Sequence, residues 1–361
     1  MKVHNFSAGP SILPKEVLQE SAKSTLQLKN IGMSILEISH RSIDFLNIIN
    51  EAKTLTKELL DIPNTHEVLF LQGGASLQFY MSALNFCGKH KCSGFLDTGI
   101  WAKKAINEAK KVSKTIKIGS SSDKNYSYIP KNISFNEDFD YIHLTSNNTI
   151  YGTQIHSFDF INKHIKTEKL ICDMSSDIFS RRIDIKNFDL IYAGAQKNLG
   201  PAGTTLIIIK KDSLTNKEDR PTYLDYRTHI NKESLFNTPP VFSIYVSLLT
   251  LRWINKNGGI INIEKKNIEK SNALYNEIDR NSLFFGLVEK DDRSIMNATF
   301  DLYDQNLKRK FEELCNKERI SGINGHRTTG GFRASMYNAL EKESVNKLIE
   351  VMQTLENKNK K

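Results

Sequence analysis

The sequence predicts an α/β protein: a mostly parallel seven-stranded sheet in a large domain over residues 1–257, followed by a smaller α+β domain over 258–361. Three observations predict it. Short apolar runs alternate with helical stretches from about residue 67 to 210, the pattern of strands joined by crossover helices. A long apolar helix over 243–257 then ends at Gly258-Gly259, a stop signal beyond which the charge content rises. A chain of 361 residues is also too long for one small domain and comfortable for two.

In order, the candidate strands are 67–71, 94–96, 115–118, 141–145, 169–173, 190–194 and 205–210. Leu77, Met81 and Leu84 recur at helical spacing between the first two, as do Ala102, Ile106 and Ala109 after Trp101. About ten residues join the last two strands, fewer than a parallel crossover needs, so 205–210 is expected to run antiparallel to its neighbour. Gln196 and Lys197 then fall in a turn at a strand's C-terminal end, where α/β sheets keep their ligands. The smaller domain reads as a charged helix at 261–279, a strand at 295–302, a helix at 307–319, a glycine-rich strand region at 322–336 and a terminal helix from about Glu341.

Composition excludes several classes. Hydrophobic residues at 39% and charged residues at 25% describe an ordinary soluble globular chain. No apolar run approaches the ~20 residues of a membrane span, and the N-terminus carries no secretion signal. Cys87, Cys92, Cys172 and Cys315 show neither a CxxC pair nor a disulfide framework, which fits reduced thiols in a cytoplasm. The nine histidines have no metal-ligand spacing, so no metal is expected. A formal charge of +9 would suit nucleic acid, but the lysines are spread along the whole chain and no nucleic-acid motif is present. The basic tail at 357–361 reads as a solvated, frayed end.

Four features carry chemistry, each with a plainer reading beside it. Gly73-Gly74-Ala75-Ser76 lies directly after a strand and before a helix; it is a tight turn, or a cradle in which free N–H groups and the helix dipole hold a phosphate. Asp173 ends an apolar strand; it caps the next turn, or pairs with a pyridinium nitrogen. Lys197 follows a buried strand between small residues, unlike the usual solvated lysine, and a lysine with a lowered pKa condenses readily with an aldehyde. Trp101 is either core or an aromatic face stacked on a ring.

Taken together, AGAQKNLGPAG (193–203), HNFSAGPSILP (4–14), SHRS (39–42), LQGGASLQF (71–79), LFNTPPVFSIY (235–245) and GHRTTGGFRASMYNAL (325–340) make the chain resemble the phosphoserine aminotransferase family, in class V of the fold-type-I enzymes that use pyridoxal 5′-phosphate (PLP). The resemblance implies that Lys197 holds the cofactor and shuttles the Cα proton, Asp173 holds the ring nitrogen, Trp101 stacks on the ring, and Thr149 meets the ring hydroxyl. It implies that Ala75, Ser76 and Gln196 bind the cofactor phosphate, joined by Asn237 and Thr238 from the partner subunit of a homodimer with shared active sites. Arg333 would hold the substrate α-carboxylate. His40, Arg41, His326 and Arg327 would form the distal anion pocket, since guanidinium forks suit carboxylate and phosphate oxygens. The N-terminal ~15 residues would be an arm near the active site. Two departures stand out: Ser76-Leu77 where an arginine–glycine pair occurs in some members, and Asn147-Asn148 before Thr149 where an Asn-Glu pair is common.

The reaction implied interconverts 3-phosphohydroxypyruvate plus L-glutamate and O-phospho-L-serine plus 2-oxoglutarate, in serine biosynthesis. The same resemblance reaches the 4-phosphooxy-threonine step of pyridoxine biosynthesis. The alternatives are another class V enzyme, such as an alanine– or serine–glyoxylate-type aminotransferase or a cysteine desulfurase, and, from a different class, a non-catalytic basic nucleic-acid-binding protein. A desulfurase needs a mobile nucleophilic cysteine late in the chain, whereas Cys315 sits in a charged helical stretch.

Overall fold

The computed structural model describes residues 2–166, 168–215 and 219–359. The chain opens with a two-residue strand, β1 (His4–Asn5), then α1 (Lys15–Leu26) and α2 (Ile43–Leu59). The central sheet follows: β2 (His66–Leu71), α3 (Gly74–Phe86), β3 (Cys92–Asp97), α4 (Ile100–Ala109), β4 (Lys114–Ser120), β5 (Tyr141–Thr145), α5 (Asp159–Asn162), β6 (Lys169–Asp173), β7 (Leu190–Gly194) and β8 (Thr205–Lys210). Its strand order is β2-β8-β7-β6-β5-β3-β4. β8 runs antiparallel to both β2 and β7, while the β7-β6-β5-β3-β4 pairs are parallel. All seven sequence-read strands are present, three of them longer than read, and the antiparallel strand is the one expected.

Alternation along the strands builds two cores, because successive side chains point to opposite faces of the sheet. Val68, Phe70, Leu206, Ile208, Ile191 and Ala193 enter one apolar cluster, and Leu69, Leu71, Ile207, Ile209, Leu190 and Tyr192 the other. Burial on both faces explains why these strands read as continuous apolar runs. The first cluster is closed by α2 and, after the short α6 (Tyr226–Asn231), by α7 (Val241–Lys256). The second is closed by α3 and α4. α7 stops where the sequence indicates: Gly258 has φ +87°, a left-handed conformation that a side chain would strain.

The remaining elements are α8 (Gly259–Arg280), β9 (Phe284–Gly286), β10 (Asn297–Leu302), α9 (Lys308–Lys317), β11 (Ile320–Ser321), β12 (Phe332–Ser335) and α10 (Lys342–Asn359). β10 lies between β9 and β12, antiparallel to both. Only 332–335 of the glycine-rich region is a regular strand; 324 to 331 is a loop whose end is tied by the Gly325 N–H to the Gly331 carbonyl (3.0 Å). Residues 357–359 of the tail continue the terminal helix instead of fraying; Lys360 and Lys361 lie outside the described residues.

The N-terminus departs from a simple division at 257. β1 pairs in parallel with β11, and Phe6 is buried in the apolar cluster of the second unit. We therefore propose a division in which residues 258–361 and the start of the N-terminal arm share one core, and the rest of 1–257 forms the large domain. The arm leaves that core and crosses to the Lys197 turn. There the Ser11 N–H donates to the Gln196 carbonyl (3.0 Å) and the Ser11 hydroxyl to the Lys197 carbonyl (2.5 Å).

Candidate active site

The parallel strands end on one edge of the sheet, and the chemistry-bearing residues collect there. A cavity of about 290 Å³ is lined by Ala8 and Gly9 of the arm, Gly74, Ala75 and Ser76 after β2, and Trp101 after β3. Thr145, Asn147, Thr149 and Ile150 after β5, Asp173, Ser175 and Ser176 after β6, and Gln196 and Lys197 after β7 continue it; His326 and Arg333 of the second unit complete it. A larger surface groove of about 640 Å³, between the end of α2 and the start of α8, is lined by aliphatic side chains and by charged ones that are all exposed.

α3 begins with Gly73 at φ +91° and Gly74 at φ +64°. A Cβ on Gly73 would stand 2.6 Å from the Leu77 Cβ, so the turn has no room for another residue. The free N–H groups of the first helical turn therefore open into the cavity beside Ala75 and Ser76, an anion-binding arrangement.

Lys197 is buried, and its Nζ donates to Thr149 Oγ1 at 2.8 Å. Desolvation lowers its pKa to about 8; Asp173 opposes that shift and Arg333 reinforces it. The ammonium also lies 5.9 Å from the Trp101 ring centroid. Asp173 is buried too, and burial raises its carboxyl pKa. Its Oδ1 accepts from the Ser175 N–H (3.0 Å) and hydroxyl (2.6 Å), and among the described residues no cation stands within ion-pair distance of it. The Ser175 hydroxyl also accepts from the Gly194 N–H (3.1 Å), tying the end of β6 to the end of β7.

These groups fit PLP on the structure's own terms. A buried carboxylate without a cation is costly, and a protonated pyridine nitrogen is such a cation. Three buried polar atoms of cavity-lining residues, Thr145 Oγ1, Trp101 Nε1 and Arg333 Nε, have no hydrogen-bond partner among the described residues. A polar ligand supplies what they lack. A helix N-terminus for a phosphate and an amine with a lowered pKa for an aldehyde complete the match.

Of the residues read from sequence, the fold brings Ala75, Ser76, Trp101, Thr149, Asp173, Gln196, Lys197, His326 and Arg333 to this one cavity. It does not bring His40, Arg41, Asn237, Thr238 or Arg327 to the same chain's cavity lining. Arg41, Thr238 and Arg327 are exposed, and Gln72 Nε2 holds the Thr238 carbonyl at 2.8 Å. Sequence reading missed Thr145, Asn147 and Ser175. Only Ser175 carried a signal, a hydroxyl two residues after a strand-ending aspartate, the spacing of an Asx turn.

Fold and site together are those of a class V, PLP-dependent aminotransferase, and residues 3–348 match the class V aminotransferase family. The chain is 54% identical over 361 residues to a phosphoserine aminotransferase of Flavobacterium psychrophilum, covering 99% of this chain and 100% of that one. It superimposes with a TM-score of 0.95 and 44% identity on a phosphoserine aminotransferase studied for radiation damage of its Schiff base, covering 99% and 100% of the two chains. A PLP-bound phosphoserine aminotransferase of Trichomonas vaginalis gives a TM-score of 0.91 at 34% identity, covering 98% and 100%. The chain belongs to the phosphoserine aminotransferase family.

Proposed function

We propose that this protein transfers the amino group of L-glutamate to 3-phosphohydroxypyruvate, forming O-phospho-L-serine and 2-oxoglutarate, as a cytoplasmic step of serine biosynthesis. The observation that carries the reading is the Lys197 amine. It is buried, titrates near pH 8, and is held by Thr149 between an unpaired carboxylate and an arginine.

When bound, PLP supplies an aldehyde that takes up an amine and a ring that withdraws electrons from the substrate Cα. The protein's residues do the rest. Asp173 would accept a hydrogen bond from the ring nitrogen and keep it protonated. Trp101 would pack on the ring face, while the start of α3, with Ala75, Ser76 and Gln196, would bind the phosphate. Thr149 Oγ1 serves as the parking acceptor for the Lys197 ammonium and as partner of the ring hydroxyl. Lys197 would be the base that takes the substrate Cα proton and gives it back. A base with its pKa near 8 is matched to neutral operating pH. Arg333 holds the α-carboxylate; burial lowers its pKa, and its buried Nε has no hydrogen-bond partner among the described residues.

A homodimer completes this site. Leu36 and Ile43, exposed, flank His40 and Arg41 in the chain, and Leu26 and Met33, also exposed, precede them. Water-exposed aliphatics in one short segment suit burial against a second copy. That copy's cavity would then receive His40 and Arg41, with Asn237 and Thr238 reaching the neighbour's phosphate site. Cys315 argues against a desulfurase: it is buried in α9 with its thiol pushed up to about 12 by desolvation.

The test compares amino donors. Wild type should use phosphoserine and glutamate well and alanine or serine poorly. Losing one distal arginine in Arg327→Ala should lower kcat/KM for phosphoserine by about tenfold to a hundredfold and spare alanine. Arg333→Ala should lower it for every donor. If wild type favours alanine, or Arg327→Ala weakens all donors equally, the phosphoserine reading fails and the alanine–glyoxylate-type alternative replaces it.

A further inference from the structure

α4 carries Trp101 into the cavity wall, and Lys104 stands three residues on, on the same helix face. The Lys104 ammonium lies 4.5 Å from the Trp101 ring centroid. Unlike Lys114, Lys111 or Lys124, which pair with glutamates, Lys104 has no carboxylate within ion-pair distance among the described residues. A flexible lysine stem is thus held by its cation–π contact against a residue of the site, with its charge unspent. His326, which lines the same cavity, lies in the field of Arg333, Arg327 and Lys104, all three of which add to the effect of burial in lowering its pKa. None of these cations is paired with an acid among the described residues. The rim therefore bears concentrated, uncompensated positive charge, which favours a dianion over a monoanion or a neutral side chain.

We propose that Lys104 is a specificity-determining residue, its ammonium held on Trp101 at the rim of the cavity to bind the phosphate end of the substrate. This rests on the phosphoserine reading for the substrate, but not for the anion site. Trp101 is common to both cations: the Lys197 amine lies 5.9 Å and the Lys104 ammonium 4.5 Å from its ring centroid. The same ring that packs on the cofactor thereby fixes how far from it the distal charge stands.

The experiment uses the PLP-loaded dimer or whatever assembly the purified enzyme forms. Lys104→Met keeps the stem length without the charge, Lys104→Arg restores the charge, and Lys110→Met, on the exposed end of α4, is the control. Inorganic phosphate binding is measured by titration calorimetry, and kcat/KM with phosphoserine, glutamate and alanine. Expected in Lys104→Met are a roughly tenfold weaker phosphate affinity and a similar loss for phosphoserine, with alanine unchanged. Lys104→Arg should recover most of both, and Lys110→Met should match wild type. Unchanged phosphate affinity in Lys104→Met overturns the proposal. So does an equal loss for alanine and phosphoserine, which would mean that Lys104 serves only to seat Trp101. A wild type that prefers alanine would instead overturn the substrate reading, while the phosphate titration still decides the role of Lys104.

Discussion

Lys197 and Asp173 are each in an environment that opposes their charged form, and each moderates the other. For the lysine this has a measurable sign. Unfolded, it titrates near 10.5; folded, near 8. Between those values the unfolded chain binds a proton that the folded chain does not, so stability from this group rises with pH across the window. Below about 8 its full penalty remains. Cofactor-free wild type should therefore melt below Lys197→Met at pH 7 and lose that deficit as the pH approaches 10.5; a constant difference across this range would refute the buried-ammonium account. In the holoenzyme, borohydride reduction and peptide mapping should place the pyridoxyl group on the peptide containing Lys197, and Lys197→Ala should bind PLP without turnover. Both residues were legible in the sequence because each follows an apolar strand, where a charge is conspicuous. Thr149 rested on resemblance alone, and its contact with Lys197 becomes visible only when the ends of β5 and β7 are brought to one edge of the sheet, with β6 between them.

At the scale of elements, the turns that follow the strands are the sensitive parts. Gly73→Ala would put a Cβ against Leu77 at φ +91°, and should cost about 1–3 kcal/mol while weakening PLP affinity, read by melting and by cofactor titration. A protein that melts and binds PLP like wild type would show that the turn has slack. The segment after β6 is braced by a buried ion pair. Asp177 accepts from Arg181 Nη2 (3.1 Å) and the Ser146 hydroxyl (2.5 Å), and Arg181 donates to the Ile155 (2.7 Å) and His156 (3.0 Å) carbonyls. Arg181→Met strands a buried carboxylate and should lower stability by about 3–5 kcal/mol in denaturant unfolding. The sheet strands were readable from apolar runs and β8's direction from the length of its connection. α1 and α2 were not identified, since neither carries the long apolar run that marked α7. β1, β9 and β11 are two or three residues long and exist only through their partners.

For the whole molecule, the arrangement of copies decides activity. If Asn237 and Thr238 complete a neighbour's phosphate site, mixing Lys197→Ala protein with Asn237→Ala/Thr238→Ala protein should restore activity, because each heterodimer holds one intact site. With heterodimers confirmed by mass, no gain in activity would place these residues in the site of their own chain. The arm adds a second whole-molecule constraint: Ser11 holds the Lys197 turn while Phe6 is fixed in the other core. The arm thus ties the core of the second unit to the turn that carries Lys197.

By itself the sequence determined the alternation of strand and helix, the antiparallel strand, the helix stop at Gly258, and the identity of the amine and the carboxylate. These depend on local periodicity, turn geometry and the rarity of a charge beside a buried strand, all of which are written within a few neighbouring residues. The tertiary structure alone decided that Thr145, Thr149 and Ser175 face the same cavity, that the N-terminal arm shares a core with the C-terminal unit, and that Lys104 lies over Trp101 near His326. It also decided that His40, Arg41, Asn237, Thr238 and Arg327 stay out of their own chain's cavity lining. Contacts of this kind join segments far apart in the chain, and their energy comes from desolvation and partner geometry that no single segment carries.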